Sequence, residues 1–95
     1  MLTGKQKGFL RGLGHNLNPV VMIGKHSVND KVVEEVLNSL AAHELIKVRV
    51  LESCDADRKE VAENLATACN AQVAQILGRT ILLYKKGDPP VINLP

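Results

Sequence analysis

The sequence predicts an α/β two-layer sandwich of order α-β-α-β-α-β-β, with a four-stranded mixed sheet. Helical hydrophobic patterns alternate with short apolar runs, the last two runs meet at a Gly-Arg pair, and 95 residues fit one domain. Right-handed crossovers make the first three strands parallel, and the closing hairpin makes the last strand antiparallel. We expect residues 1–87 to form the domain and residues 88–95 an extended C-terminal tail.

The first helix is predicted from about Gly4 to Gly14, with Thr3 as its N-cap. At 100° per residue, one arc of this helix is predicted to be buried, and it carries Leu2, Gln6, Phe9, Leu10 and Leu13.

Two further helices follow polar start signals. The second is predicted from an Asn29 cap to about His43. The third begins in the acidic segment SCDADRKEV, where Asp57 and Glu60 have the spacing of a capping box, although Asp is not the usual residue there.

The strands differ in their patterns. The run Val20 to Ile23, entered through Pro19, is wholly apolar and predicts a strand buried on both faces. Leu45 to Leu51 alternates, so that one face is apolar and the other carries Lys47 and Arg49. The segment QVAQILGRTILLY predicts two strands joined by a type II′ turn at Gly78-Arg79.

The net charge of +2 conceals a strong asymmetry. Residues 1–29 carry four basic residues (Lys5, Lys7, Arg11 and Lys25) and no Asp or Glu, whereas residues 30–69 carry nine acids against five basic residues. Positive charge concentrated in the first third of a chain favours an anionic partner.

The composition argues against several other classes. Its apolar runs are too short to cross a membrane, and we expect a cytoplasmic protein without a secretory signal. Cys54 and Cys69 flank the third helix, too far apart for a disulfide, and are predicted to be buried thiols. The spacing of His and Cys predicts no metal site, and we expect no cofactor, no catalytic residues and no enzyme activity.

The Gly24-Lys25-His26-Ser27 loop is the first candidate site. It joins the carboxyl end of the first strand to a helix N-terminus, where α/β sheets commonly bind anions. It departs from the nucleotide P-loop, which needs an earlier glycine and a Ser or Thr at position 26. It is either an anion-binding loop or an ordinary strand-to-helix turn.

The polar side of the first helix is the second candidate. Lys7 and Arg11 are like charges one turn apart, and Gly4, Gly8 and Gly12 each weaken a helix by up to about 1 kcal/mol relative to Ala. Close approach of a polyanion backbone would account for both features, and a solvated face held by packing is an equal alternative.

Other basic residues are weaker candidates. Lys47 and Arg49, with Arg79, Lys85 and Lys86 near the hairpin, are interpreted as ordinary polar positions of a half-exposed sheet. Phe9 and Tyr84 are the only aromatic residues, and Phe9 is placed in the buried stripe. Without exposed aromatics to stack on bases, any RNA would be bound through phosphates and shape.

Three segments in this order, LTGKQKGFLRGLGHNLNPVVMIGKHSVND, HELIKVRV and ILGRTILLYKK, resemble the YhbY family, the bacterial stand-alone form of the CRM (chloroplast RNA splicing and ribosome maturation) domain. The resemblance spans about Leu2 to Tyr84. It implies a fold similar to the C-terminal domain of translation initiation factor three, RNA binding, and a role in assembly of the large ribosomal subunit. In plant relatives the domain serves intron splicing.

The resemblance also implies where RNA is contacted. A GxxG loop of the family maps onto Gly24 to Ser27, and basic residues of its first helix map onto Lys5, Lys7 and Arg11. Ser27 replaces the second glycine, so it must adopt a strained backbone or a different turn. The predicted RNA-binding residues are Gly24, Lys25, His26, Ser27, Lys5, Lys7, Arg11 and Lys31.

The expected partners are large-subunit ribosomal RNA precursors and pre-ribosomal particles, bound by a monomer, with no membrane and no small-molecule substrate. The alternative is a protein-interaction module that docks on a ribosomal protein or assembly factor through the acidic third helix.

Overall fold

The computed structural model describes residues 2–95 and contains three helices and four strands. In chain order they are α1 (Gly4–Gly14), β1 (Pro19–Ile23), α2 (Asp30–His43), β2 (Leu45–Val50), α3 (Arg58–Cys69), β3 (Gln72–Leu77) and β4 (Thr80–Tyr84). This is the predicted order.

The strands form one mixed sheet in the order β1-β2-β4-β3. Strand β1 is parallel to β2, while β4 is antiparallel to both of its neighbours, β2 and β3. The predicted directions are therefore confirmed. Gly78 has a φ of +59° and Arg79 does not have a positive φ, as a type II′ turn requires.

One side of the sheet is covered by α2 and α3. Their apolar faces pack on alternate residues of β2 and β4 and on β1, forming the larger core. Its most deeply buried members are Ile23, Val36, Val48, Val61, Ala62, Leu65, Ile81 and Leu83. Full burial of each large aliphatic side chain contributes about 1.5–3 kcal/mol, so this side provides most of the hydrophobic stabilisation.

The opposite side of the sheet carries α1 and the C-terminal residues. Here the buried cluster consists of Leu2, Leu10, Leu45, Ala74, Leu82 and Tyr84, with Ile92 and Leu94 packed against it. Helix α1 contacts β2 and β3 and leaves much of this face uncovered.

Glu44 binds the C-terminal residues to this layer through hydrogen bonds. Its carboxylate accepts hydrogen bonds from the backbone N–H of Val91 and, at 3.0 Å, of Ile92. These bonds lower the pKa of the Glu44 carboxyl, the one from Ile92 most, although burial acts in the opposite direction. These bonds hold the segment whose Ile92 and Leu94 side chains pack against the sheet.

The predicted buried stripe of α1 is only half correct. Leu2 and Leu10 are buried, but Phe9 and Leu13 are 41% and 44% exposed. The reason is that Leu10 and Gly14, one turn apart, form the ridge that faces the sheet. Phe9 and Leu13 lie about 100° away on the neighbouring ridge and point toward solvent. Phe9 is thus an exposed aromatic, contrary to its predicted burial.

The prediction that β1 is buried on both faces is wrong. Val21 and Ile23 are buried, whereas Val20 and Met22 are 51% and 49% exposed. Strand β1 is at the edge of the sheet, and α1 packs on β2 and β3 instead, so one face of β1 has no cover.

The predicted helix caps form at α1 and α2. Thr3 and Gln6 make a reciprocal capping box, and Asn29 accepts a hydrogen bond from Val32 N–H at 2.9 Å. Asp57 occupies the N-cap of α3, but among the described residues its side chain makes no capping hydrogen bond, so the predicted box with Glu60 is absent. Cys54 and Cys69 are free and buried, as predicted.

Candidate nucleic-acid interface

The Gly24–Ser27 loop is a tight turn at the carboxyl end of β1. The N–H of Ser27 donates to the carbonyl of Gly24 at 3.0 Å, which closes the turn. Lys25 and His26 occupy its two central positions and are both exposed. The turn therefore projects two basic side chains away from the sheet edge.

Ser27 has a φ of +51°, in the left-handed region that favours glycine. Of the two outcomes expected where serine replaces the second glycine, a strained backbone or a different turn, the structure has the strained backbone. Gly24 has a different role, because a Cβ there would lie 3.2 Å from Ser53 Oγ. It lets the loop after β1 pass close to the loop after β2, and Leu51 N–H also donates to Ile23 at 2.8 Å.

The N-terminus of α2 is less free for an anion than the sequence indicates. The Asn29 side chain already accepts a hydrogen bond from the N–H of Val32, and Asp30 places a carboxylate in the first turn. A negative side chain there compensates the helix dipole and repels a second anion. The exposed side chains of Lys25, His26 and Lys31 are thus better placed than the backbone to bind phosphate.

The basic residues of α1 occupy different surroundings. Lys5 and Arg11 are exposed and Lys7 is half-buried. Arg11 and His15, one turn apart near the end of the helix, lie beside an open groove between α1 and the sheet. Lys5 and Lys7 lie nearer the start of the helix.

The groove has a volume of about 720 Å³ and is bounded by α1, β2, β4, β3 and the start of β1. Its lining residues are Arg11, Gly12, Gly14, His15, Pro19, Lys47, Arg49, Gln75, Leu77, Thr80 and Leu82. Of residues 2–95, those that line it include four basic or histidine side chains and no Asp or Glu. The groove is therefore a cationic surface about the size of a ligand site.

The groove brings together residues that are far apart in the sequence. Arg11 is the one member of the predicted RNA-binding set among the described residues that line it. Lys47 and Arg49, interpreted from the sequence as ordinary polar positions, lie there with Arg11 because α1 folds over the same face of β2. The alternation of β2 revealed their shared face, but nothing local indicated that α1 would pack beside it.

A metal centre and a membrane helix find no support within the described part of the chain. Among residues 2–95 there is no group of three or more His, Cys, Asp or Glu placed to hold a metal ion. None of the helices in that range has both the length and the apolar character needed to cross a membrane.

Fold and surface together define a small α/β domain with a cationic groove and a basic loop at one sheet edge. The chain belongs to the CRS1 / YhbY (CRM) domain family, whose model matches residues 2–85.

Similar proteins span the whole chain. The "Probable RNA-binding protein YqeI" of Bacillus subtilis is 48% identical over 96 residues, covering 100% of both chains. An "RNA-binding protein" of Haemophilus influenzae is 40% identical, covering 99% of this chain and 95% of that protein. The solution structure of the hypothetical protein SAV1595 from Staphylococcus aureus superposes with a TM-score of 0.84 at 41% identity, covering 100% of both chains. These relatives are named for RNA binding and not for an enzyme activity.

Proposed function

We propose that this protein binds structured ribosomal RNA through its phosphate backbone and acts as an assembly factor of the large ribosomal subunit, without catalysis. The observation that carries the proposal is that Arg11 of α1 and Lys25 of the turn after β1 are exposed basic side chains, and that no Asp or Glu is among the described residues lining the groove beside Arg11. The names of the relatives support RNA as the anion in question.

Affinity in this proposal comes from side chains that donate hydrogen bonds to phosphate at two places. Lys7 and Arg11 contact phosphates along α1, and Lys25 with His26 contacts them from the turn after β1. Such contacts release counterions and make binding strongly dependent on salt. Selectivity comes from the shape of a folded RNA, which must match the spacing between α1 and the turn.

Base stacking has a minor part in this proposal. Tyr84 is buried under α1 and the C-terminal residues, and Phe9 is exposed alone on α1. Modules that stack several bases present two or more aromatic side chains on one surface. We therefore expect contacts to phosphate and ribose to dominate.

The proposal places the protein in the cytoplasm, as a monomer on pre-ribosomal particles. Residues 1–87 would form the RNA-binding domain and residues 88–95 its extended tail.

The test is a titration of a structured fragment of large-subunit ribosomal RNA at several salt concentrations, for the wild type and for Lys7→Glu/Arg11→Glu. We expect a log–log slope steeper than about −2 that becomes shallower in the variant. A flat slope, or no binding, would overturn the proposal. Association with ribosomal particles that survives nuclease treatment would instead support docking on a protein.

A further inference from the structure

Lys47 and Arg49 lie side by side on the middle of the face that α1 leaves open. They are two residues apart on β2, and two residues of a strand span about 6.6 Å along one face. Both line the groove beside Arg11. The pair thus extends the positive charge of α1 across the sheet.

Their neighbours on both sides are uncharged. Lys47 is in register with Pro19 of β1 and Leu82 of β4, and Arg49 is in register with Met22 and Thr80. A cross-strand pair of opposite charges at either position would stabilise the sheet. The sheet forgoes this stabilisation at two adjacent positions of the same face.

The charge of Lys47 is also left without a carboxylate in the groove. Its Nζ donates to the backbone carbonyl of His15 at 3.5 Å, a long contact with a neutral acceptor. In the part of the chain that the structure describes, no acidic side chain lines the groove. An anion that enters the groove would therefore meet basic side chains and no competing carboxylate from the described lining residues.

The pair also lies between the two predicted contact regions. Arg11 borders the groove on the α1 side. Arg49 is beside Met22, which precedes Gly24 of the turn by two residues, again about 6.6 Å along the strand. Cations consequently follow one another from α1, over β2, toward Lys25 and His26.

The walls of the groove differ in chemistry. Basic side chains come from α1 and β2, whereas β3 and β4 contribute Gln75, Leu77, Thr80 and Leu82. The amide of Gln75 and the hydroxyl of Thr80 can bind ribose hydroxyls or base edges. A strand of nucleic acid, charged along one side and neutral along the other, matches this asymmetry better than a small anion does.

We infer that Lys47 and Arg49 hold a stretch of RNA backbone in the groove, joining the contacts at α1 and at the Gly24–Ser27 turn into one path. This inference rests on the proposed function, since it extends the same binding surface. It makes the uncovered face of the sheet part of the interface rather than a solvated surface.

The test compares Lys47→Gln/Arg49→Gln with the wild type, using the same ribosomal RNA fragment and salt series. We expect binding weaker by about tenfold or more and a salt slope shallower by roughly 0.7–0.9 for each phosphate that is no longer neutralised. The matched control is Lys59→Gln, which removes an exposed charge from α3 on the opposite side of the sheet. Its affinity and slope should equal those of the wild type.

Amide NMR of the unmodified protein provides an independent measurement. Titration with the same RNA should shift the resonances of Lys47, Arg49 and Thr80 as strongly as those of Arg11. If the wild type binds RNA while the double variant keeps full affinity and slope, or these strand resonances do not move, the inference is overturned and the proposed function stands. If the wild type binds no RNA, both are overturned.

Discussion

Gly14 at the end of α1 lies directly against Leu82 of β4. A Cβ at position 14 would come within 2.8 Å of Leu82 Cδ1 and 3.0 Å of Cδ2. Leu82 is itself buried, so an added methyl group at position 14 requires Leu82 to shift within a packed layer. This contact sets the height of α1 above the sheet and thereby the width of the groove that both residues line.

Gly14→Ala is therefore expected to destabilise the fold by about 1–3 kcal/mol, the usual cost of overpacking. Gly12→Ala is the matched control, because a Cβ at position 12 meets nothing within 4 Å. It should stabilise the helix by about 0.5–1 kcal/mol. Urea unfolding of both variants measures the difference. Stabilisation by both substitutions would show that Leu82 yields to the added methyl group.

The two ridges of α1 should differ in what they contribute to stability. Leu10 is fully buried, so Leu10→Ala should cost about 2–5 kcal/mol. Phe9→Ala should cost less, since 41% of the Phe9 surface is exposed. Thermal unfolding of the two variants checks this order. Equal losses of stability in the two variants would support the broad buried stripe that the hydrophobic pattern predicts.

That stripe shows how far a hydrophobic pattern can determine a helix face. The pattern ranks Phe9 and Leu13 above Gly14 because it scores side chains, yet the closest approach of α1 to the sheet is made by the residue with no side chain. Helix bounds and caps depend on local hydrogen bonds, and those at Thr3 and Asn29 were predictable. The packing face depends on the partner surface, which the local sequence does not contain.

The same distinction between local and tertiary features applies to the sheet. The alternation in β2 and the Gly78-Arg79 turn are local, and both were predicted. The position of β1 at an edge depends on strand order, and so the exposure of Val20 and Met22 was missed. The groove was the least predictable feature from the sequence, because Arg11 and Lys47 line one surface only after α1 folds back over β2.

Attachment of the C-terminal residues should depend on pH through Glu44. Hydrogen bonds from Ile92 and Val91 hold the pKa of this carboxyl below its ordinary value of 4.5. A pKa lowered by folding means that the carboxylate stabilises the folded state above pH 4.5, and that this contribution is lost as pH falls through the folded pKa. Glu44→Gln should therefore lower the melting temperature at pH 7, and the difference from the wild type should shrink toward pH 3.

The matched control for Glu44 is Glu63→Gln, which changes an exposed carboxyl on α3. Hydrogen exchange of the Val91 and Ile92 amides in Glu44→Gln should be faster than in the wild type at pH 7, while the Glu63 variant should leave it unchanged. A melting-temperature difference that stays constant from pH 7 to pH 3 would contradict the role of the Glu44 carboxylate.

The strain at Ser27 should be measurable as stability. A non-glycine residue in the left-handed region costs about 1–2 kcal/mol, and the greater freedom of glycine in the unfolded chain offsets part of that gain. Ser27→Gly is accordingly expected to raise the free energy of unfolding by about 0.5–1 kcal/mol. Ser27→Ala keeps the Cβ and the strain, so it should give no such increase. Urea titration of the two variants decides the matter, and an equal response of both would mean that the φ of +51° carries no cost at this turn.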